Sequence, residues 1–128
     1  MIPIQLKEEV ADLQKVGYQI QLHEVGNRIY IEFQNFALPI GYNANSTTLI
    51  VWTGNQYPRC AFDMFWVDSG LLLENGTIPH AAAHFESHLG KTWRRYSIHP
   101  YNFKPWNPCE DSLTGYLTYI NQRLNHLA

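Results

Sequence analysis

The chain has 128 residues, 45% of them hydrophobic, which fits one domain with a real core and leaves little room for two independent ones. Nine basic and eleven acidic residues give a net charge of −2, so the broad cationic field that nucleic acid or an anionic membrane requires is missing. The start lacks a basic run followed by a long apolar stretch, and no segment approaches eighteen uninterrupted apolar residues, so a cytoplasmic protein with two free thiols, Cys60 and Cys109, is expected.

Residues 4–16 carry Leu6, Val10 and Leu13 at spacings of four and three among charged residues, the pattern of an amphipathic helix that Gly17 ends. Tyr18, Ile20 and Leu22 alternate with polar residues, and Gly26-Asn27 offers a tight turn into Ile29, Ile31 and Phe33, which predicts a hairpin. A third strand is expected over 47–53 and a fourth over 61–67, giving a four-strand antiparallel meander after one helix. Residues 71–74 are ambiguous. Ala81 to Ala83, with Gly90 as a stop, predict a short helix over 79–89.

Residues 91–106 contain Pro100 and Pro105, scattered aromatics and no usable period, and predict an ordered loop. Asn107, Pro108 and Glu110 have the chemistry of an N-cap, a first helical position and a capping box. Leu113, Leu117, Ile120, Leu124 and Leu127 would then form the buried stripe of a final helix.

The densest set of reactive side chains lies over 93–109. Ser97 and His99 are two apart, so in an extended stretch they share a face, and an imidazole can take the proton of a hydroxyl nucleophile. The plain alternative is a loop serine beside a hydrogen-bonded histidine. Cys109, near the start of the expected helix, would gain thiolate character from unpaired backbone N–H groups, against the neighbouring charges of Glu110 and Asp111. His80, His84 and His88 repeat every four residues. Along a helix the first and third would stand about 12 Å apart, so they cannot close round one ion, and neither a metal nor another cofactor is expected. Trp93, Arg94, Arg95, Tyr101 and Trp106 are candidates for docking a partner.

The order helix, four-strand meander, long irregular segment and C-terminal helix, an α+β arrangement, resembles the ubiquitin-conjugating fold. Tyr57-Pro58 after the third strand, Asp63-Met-Phe-Trp66, Trp93-Arg-Arg-Tyr-Ser-Ile-His-Pro100, Trp106 and Asp111 resemble its bacterial branch, the prokaryotic ubiquitin-conjugating-like family E. That resemblance implies a transferase that takes a ubiquitin-like modifier protein from an activating enzyme and passes its C-terminal carbonyl to a target protein. It also implies a bacterial conjugation pathway, with antiphage defence as the setting of related operons.

The sequence departs from the usual pattern of those enzymes. His99-Pro100 is followed by Tyr101 in place of asparagine, and Trp106 precedes Cys109. Aligning Trp106 with the tryptophan before the last helix puts Ser97 at the acceptor position, with His99 as base or orienter. Cys109 remains the alternative acceptor. A non-catalytic scaffold that binds the modifier or its activating enzyme is the competing expectation.

Overall fold

The computed structural model describes residues 2–102 and 104–127; Phe103 of the expected loop and the two terminal residues lie outside them. The described chain is α+β, with two helices on one face of a six-stranded antiparallel sheet.

Helix α1 (Ile4–Lys15) buries Leu6, Val10 and Leu13, the residues whose spacing announced it. Gly17, at φ 110°, turns the chain into β1 (Gln19–Val25). Gly26 and Asn27 close a two-residue turn, with Val25 opposite Arg28 at the start of β2 (Arg28–Ala37). Gly26 takes the positive φ that such turns need. Strands β3 (Ser46–Gly54) and β4 (Asp63–Asp68) follow in antiparallel register. The expected meander is therefore present.

It is not the whole sheet. Residues 79–89 do not form the expected helix: β5 (His84–His88) and β6 (Lys91–Tyr96) make a second hairpin, and β6 inserts between β4 and β5 to give the order β1-β2-β3-β4-β6-β5. Ala81 sits at φ 54° and Leu89-Gly90 form the tight turn with both φ positive, conformations incompatible with a helix through those positions. The stretch expected as loop from residue 91 is thus strand as far as Tyr96.

The final helix, α2 (Leu113–Asn125), also begins later than the capping pattern predicted. Ser112 is its N-cap and accepts from the Gly115 N–H. Glu9 reaches across from α1, its carboxylate accepting both the Leu113 N–H at 2.9 Å and the Tyr57 hydroxyl at 2.6 Å. A first-turn N–H is thereby satisfied by another element.

Strand alternation divides the interior. Ile29, Ile31 and Phe33 of β2, Leu49 and Val51 of β3, Phe65 and Val67 of β4 and Tyr96 of β6 join both helices in the main core. Tyr30, Ile50, Trp66 and Trp93 form a second cluster on the opposite face, flanked by Trp52 and Met64. No described helix is long and apolar enough to cross a membrane.

Candidate functional site

Strand β6 decides which of its side chains are free. It is central, and residues 93–96 alternate between two covered faces. Trp93 is 2% exposed, with its indole N–H donating to the His88 carbonyl at 2.8 Å. Arg94 is 4% exposed and donates to the carbonyls of Ala82 at 2.6 Å and Ser69 at 3.2 Å. Burial lowers the pKa of Arg94, with nearby Tyr96 opposing. Both side chains are committed to packing, which corrects the expectation that they form an exposed docking patch. Arg95 remains half-buried on the outer face and pairs with Glu86 at 2.7 Å.

Ser97 is the first residue after β6; it is half-buried, and its N–H donates to the Ala81 carbonyl at 3.2 Å. His99 is exposed two residues on. Among the described residues no hydrogen bond joins the Ser97 hydroxyl to the His99 ring. A single 3-10 turn, Pro100–Asn102, follows.

The loop then packs through its aromatics. The Trp106 indole N–H donates to the Pro58 carbonyl at 2.7 Å, and its ring lies 5.8 Å from Phe62 and 5.3 Å from Tyr101, edge-on to both. Tyr101 stacks 6.1 Å from Tyr116 of α2, whose hydroxyl donates to the Met64 carbonyl at 2.8 Å. Burial raises the Tyr101 pKa, and the charge of Asp111 adds to this. Burial likewise raises Tyr57, with the hydrogen bond to Glu9 next in size. Both phenols therefore stay neutral, Tyr57 as a donor to Glu9 and Tyr101 as packing surface, and neither serves as a base. Tyr101 and Trp106 are half-buried, presenting an edge to solvent while their rings hold the loop against α2 and the loop after β3.

Cys109 is exposed and free, but it sits in a turn and not in a helix. Asn107 accepts the Cys109 N–H on its side chain at 2.9 Å, and the Asp111 carboxylate returns to the Asn107 N–H at 2.7 Å. These bonds close the turn on itself. The helix N-terminus that was to stabilise a Cys109 thiolate is therefore not there, which removes the dipole contribution expected for it.

The three histidines that shared a spacing of four are separated as well. His84 and His88 lie on β5, while His80 stacks on His126 at 5.3 Å, beyond the end of α2. Among the described residues no cluster of three His, Cys, Asp or Glu is placed to hold a metal.

A cavity of about 410 Å³ opens between the 3-10 turn and α2. Ile98, His99 and Pro100 form one wall and Tyr119, Gln122 and Arg123 the other, with His126 at the end. Sequence reasoning missed Glu9, Tyr116 and Arg123. The Tyr57-Pro58 pair was visible as a motif, but nothing local showed that Trp106 would close on its carbonyl.

The chain is α+β, and the loop that leaves β6 is pinned to α2 through Tyr101 and Tyr116. The model of prokaryotic E2 family E matches residues 6–127, and the chain belongs to that family. Membership associates it with ubiquitin-like conjugation, with transferases of that class, and with a modifier and an activating enzyme as the kinds of partner. No curated protein and no solved structure gives a match.

Proposed function

We propose that the chain is a conjugating enzyme that accepts the C-terminus of a ubiquitin-like modifier from an activating enzyme and transfers it to a target protein. The setting is the bacterial cytoplasm, in a conjugation pathway serving antiphage defence. The observation that carries this reading is the family match over residues 6–127, which takes in the whole loop with Ser97, His99 and Cys109.

In the proposed reaction the Ser97 oxygen attacks the modifier's terminal carbonyl as His99 accepts the hydroxyl proton; the thioester bond from that carbonyl to the activating enzyme breaks, and the enzyme's sulfur leaves as a thiol with that proton. The modifier is then held as an oxyester until a target amine or hydroxyl displaces Ser97, which recovers its proton. An oxyester is a poorer acyl donor to amines than a thioester, so the target must be closely positioned. Half-exposed Arg95, Tyr101 and Trp106 supply the surface for the modifier's tail. Cys109 is the alternative acceptor, on an exposed turn that an incoming carbonyl can reach.

The decisive experiment incubates the protein with a cognate modifier, its activating enzyme and ATP, then challenges any adduct with hydroxylamine and with thiol. A thiol-resistant adduct lost by about 10³-fold or more in Ser97→Ala is expected, the scale on which removal of a nucleophile acts. Adduct that forms equally in Ser97→Ala and Cys109→Ala would remove both assignments.

One observation favours a second reading, a non-catalytic scaffold for the modifier or its activating enzyme: among the described residues Ser97 has no base hydrogen-bonded to it. A stable complex with no adduct in any nucleotide condition would select it.

A further inference from the structure

We propose that the cavity between the Pro100–Asn102 turn and α2 binds a peptide carboxylate, with the Arg123 guanidinium as receptor. Arg123 is 9% exposed and lines the cavity. Its Nη1 donates to the His126 carbonyl at 2.8 Å, while Nε and Nη2 are buried and have no acceptor among the described residues. Those two nitrogens form the side-on edge of the guanidinium, where two parallel N–H groups match the two oxygens of a carboxylate.

The neighbours do not meet this demand. The guanidinium lies 4.9 Å over the Tyr96 ring, a cation–π contact that leaves its donors unused. The Tyr96 hydroxyl donates to Tyr42, and the Tyr42 hydroxyl donates to the Leu124 carbonyl at 2.7 Å. None of the seven residues lining the cavity is acidic, and among the described residues no carboxylate pairs with Arg123. Burying a charge and leaving its donors idle is costly, and an anion from outside relieves both penalties.

The cavity's size is that of a small-ligand site, and its walls are largely apolar, from Ile98, Pro100 and Tyr119. A lone fork beside an open, largely apolar pocket suits a carboxylate carried on a peptide better than a phosphate dianion, which needs more donors than Arg123 has free. Nε and Nη2 are covered in the free protein, so a carboxylate reaches them only when side chains at the mouth, where Gln122 and His126 are exposed, rearrange. The inference stands whether or not Ser97 becomes acylated, because it concerns binding by the unmodified chain.

The test titrates the whole protein, without ATP or activating enzyme, with four probes followed by NMR, including the arginine Nε–H signals. They are an N-acetylated tripeptide with a free C-terminus and no acidic side chain, its C-terminal amide, the amide carrying one internal glutamate, and inorganic phosphate. Saturable binding of either carboxylate peptide, about tenfold or more tighter than the plain amide and accompanied by a shift of the Arg123 Nε–H, is expected. Whichever carboxylate peptide binds better identifies the source as a chain terminus or a side chain. Arg123→Lys keeps the charge but loses the fork, and is expected to weaken binding by about tenfold. Should Arg123→Lys fail to fold, Gln122→Trp, made at an exposed helix position to fill the mouth, decides instead. Equal binding of the plain amide, tighter binding of phosphate, no binding of any carboxylate, or undiminished binding to a folded Gln122→Trp variant would each overturn the proposal.

Discussion

Strand β6 and the loop that follows it carry the same kinds of side chain, tryptophan, tyrosine and cations, yet they use them in opposite ways. In β6 three residues are claimed by covered faces: Trp93 joins the outer cluster, Arg94 caps carbonyls beneath the sheet, and Tyr96 stacks on Phe65 at 4.8 Å. In the loop, Tyr101 and Trp106 fix the chain through ring contacts and one indole N–H, and Ser97, His99 and Cys109 keep access to solvent. Pairing on both sides turns an aromatic-cationic segment into core; anchoring at a few points leaves one that can meet a partner. Composition does not distinguish the two cases, and position in the sheet does.

The sharpest way to break this contrast is Trp93→Ala. If Trp93 is core, removing it deletes a buried indole and its N–H bond to the His88 carbonyl, and the protein should lose about 3–5 kcal/mol of stability in urea or thermal unfolding. A stability close to wild type, together with weakened partner binding, would return Trp93 to the docking surface.

Trp106→Phe probes the other side with a smaller expected effect. The ring contacts with Phe62 and Tyr101 can persist, while the bond to the Pro58 carbonyl is lost, so destabilisation of about 1–2 kcal/mol is expected. The same denaturation measurement checks it. A loss as large as that of Trp93→Ala would mean that the loop is as much core as β6.

The difference between these regions also explains what could be read from residues alone. Helix α1 shows one apolar stripe and strands β1 and β2 a readable alternation, β3 stands out as a β-rich run, and the turns carry Gly26-Asn27 or Gly54-Asn55. Strand β6 has no readable alternation, since Trp93 and Tyr96 pack on opposite faces and Arg94 is buried by capping carbonyls. Strand β5 was hidden behind the helix propensity of Ala81 to Ala83, and pairing with β6 overrides that local preference. The capping chemistry at Asn107 was legible and is used, but Asp111 folds it into a closed turn, and the true helix start is held by Glu9 from the far end of the chain. Ser97 and His99 were legible as a hydroxyl and an imidazole two residues apart, and the resemblance in the motif around them only aligned Ser97 with an acceptor position; the cavity beside His99, built from residues on α2, could not be read before the two segments met in space.

The smallest expected effect sits on the outer face, where Arg95 shares Glu86 with Trp66 and His88, and with His84 3.5 Å away. Trp66 donates its indole N–H to Glu86 Oε1 at 3.0 Å, His88 Nε2 lies 3.1 Å from the same oxygen, and Arg95 donates to Oε2 at 2.7 Å. Burial alone would raise the Glu86 pKa, but the hydrogen bonds from His88 and Trp66 and the charge of Arg95 more than offset it, so the carboxyl titrates below its ordinary 4.5. A carboxyl with a depressed folded-state pKa stabilises the protein above its unfolded value, and that stabilisation is lost as the pH falls through the folded value. Glu86→Gln should therefore cost about 1 kcal/mol near neutral pH, measured by urea unfolding, and the gap to wild type should close as the pH is taken well below 4.5. A gap that stays constant across that range would mean that the amide fails for reasons of shape, and that Arg95 is as free to turn toward a partner as the side chains of the loop beyond it.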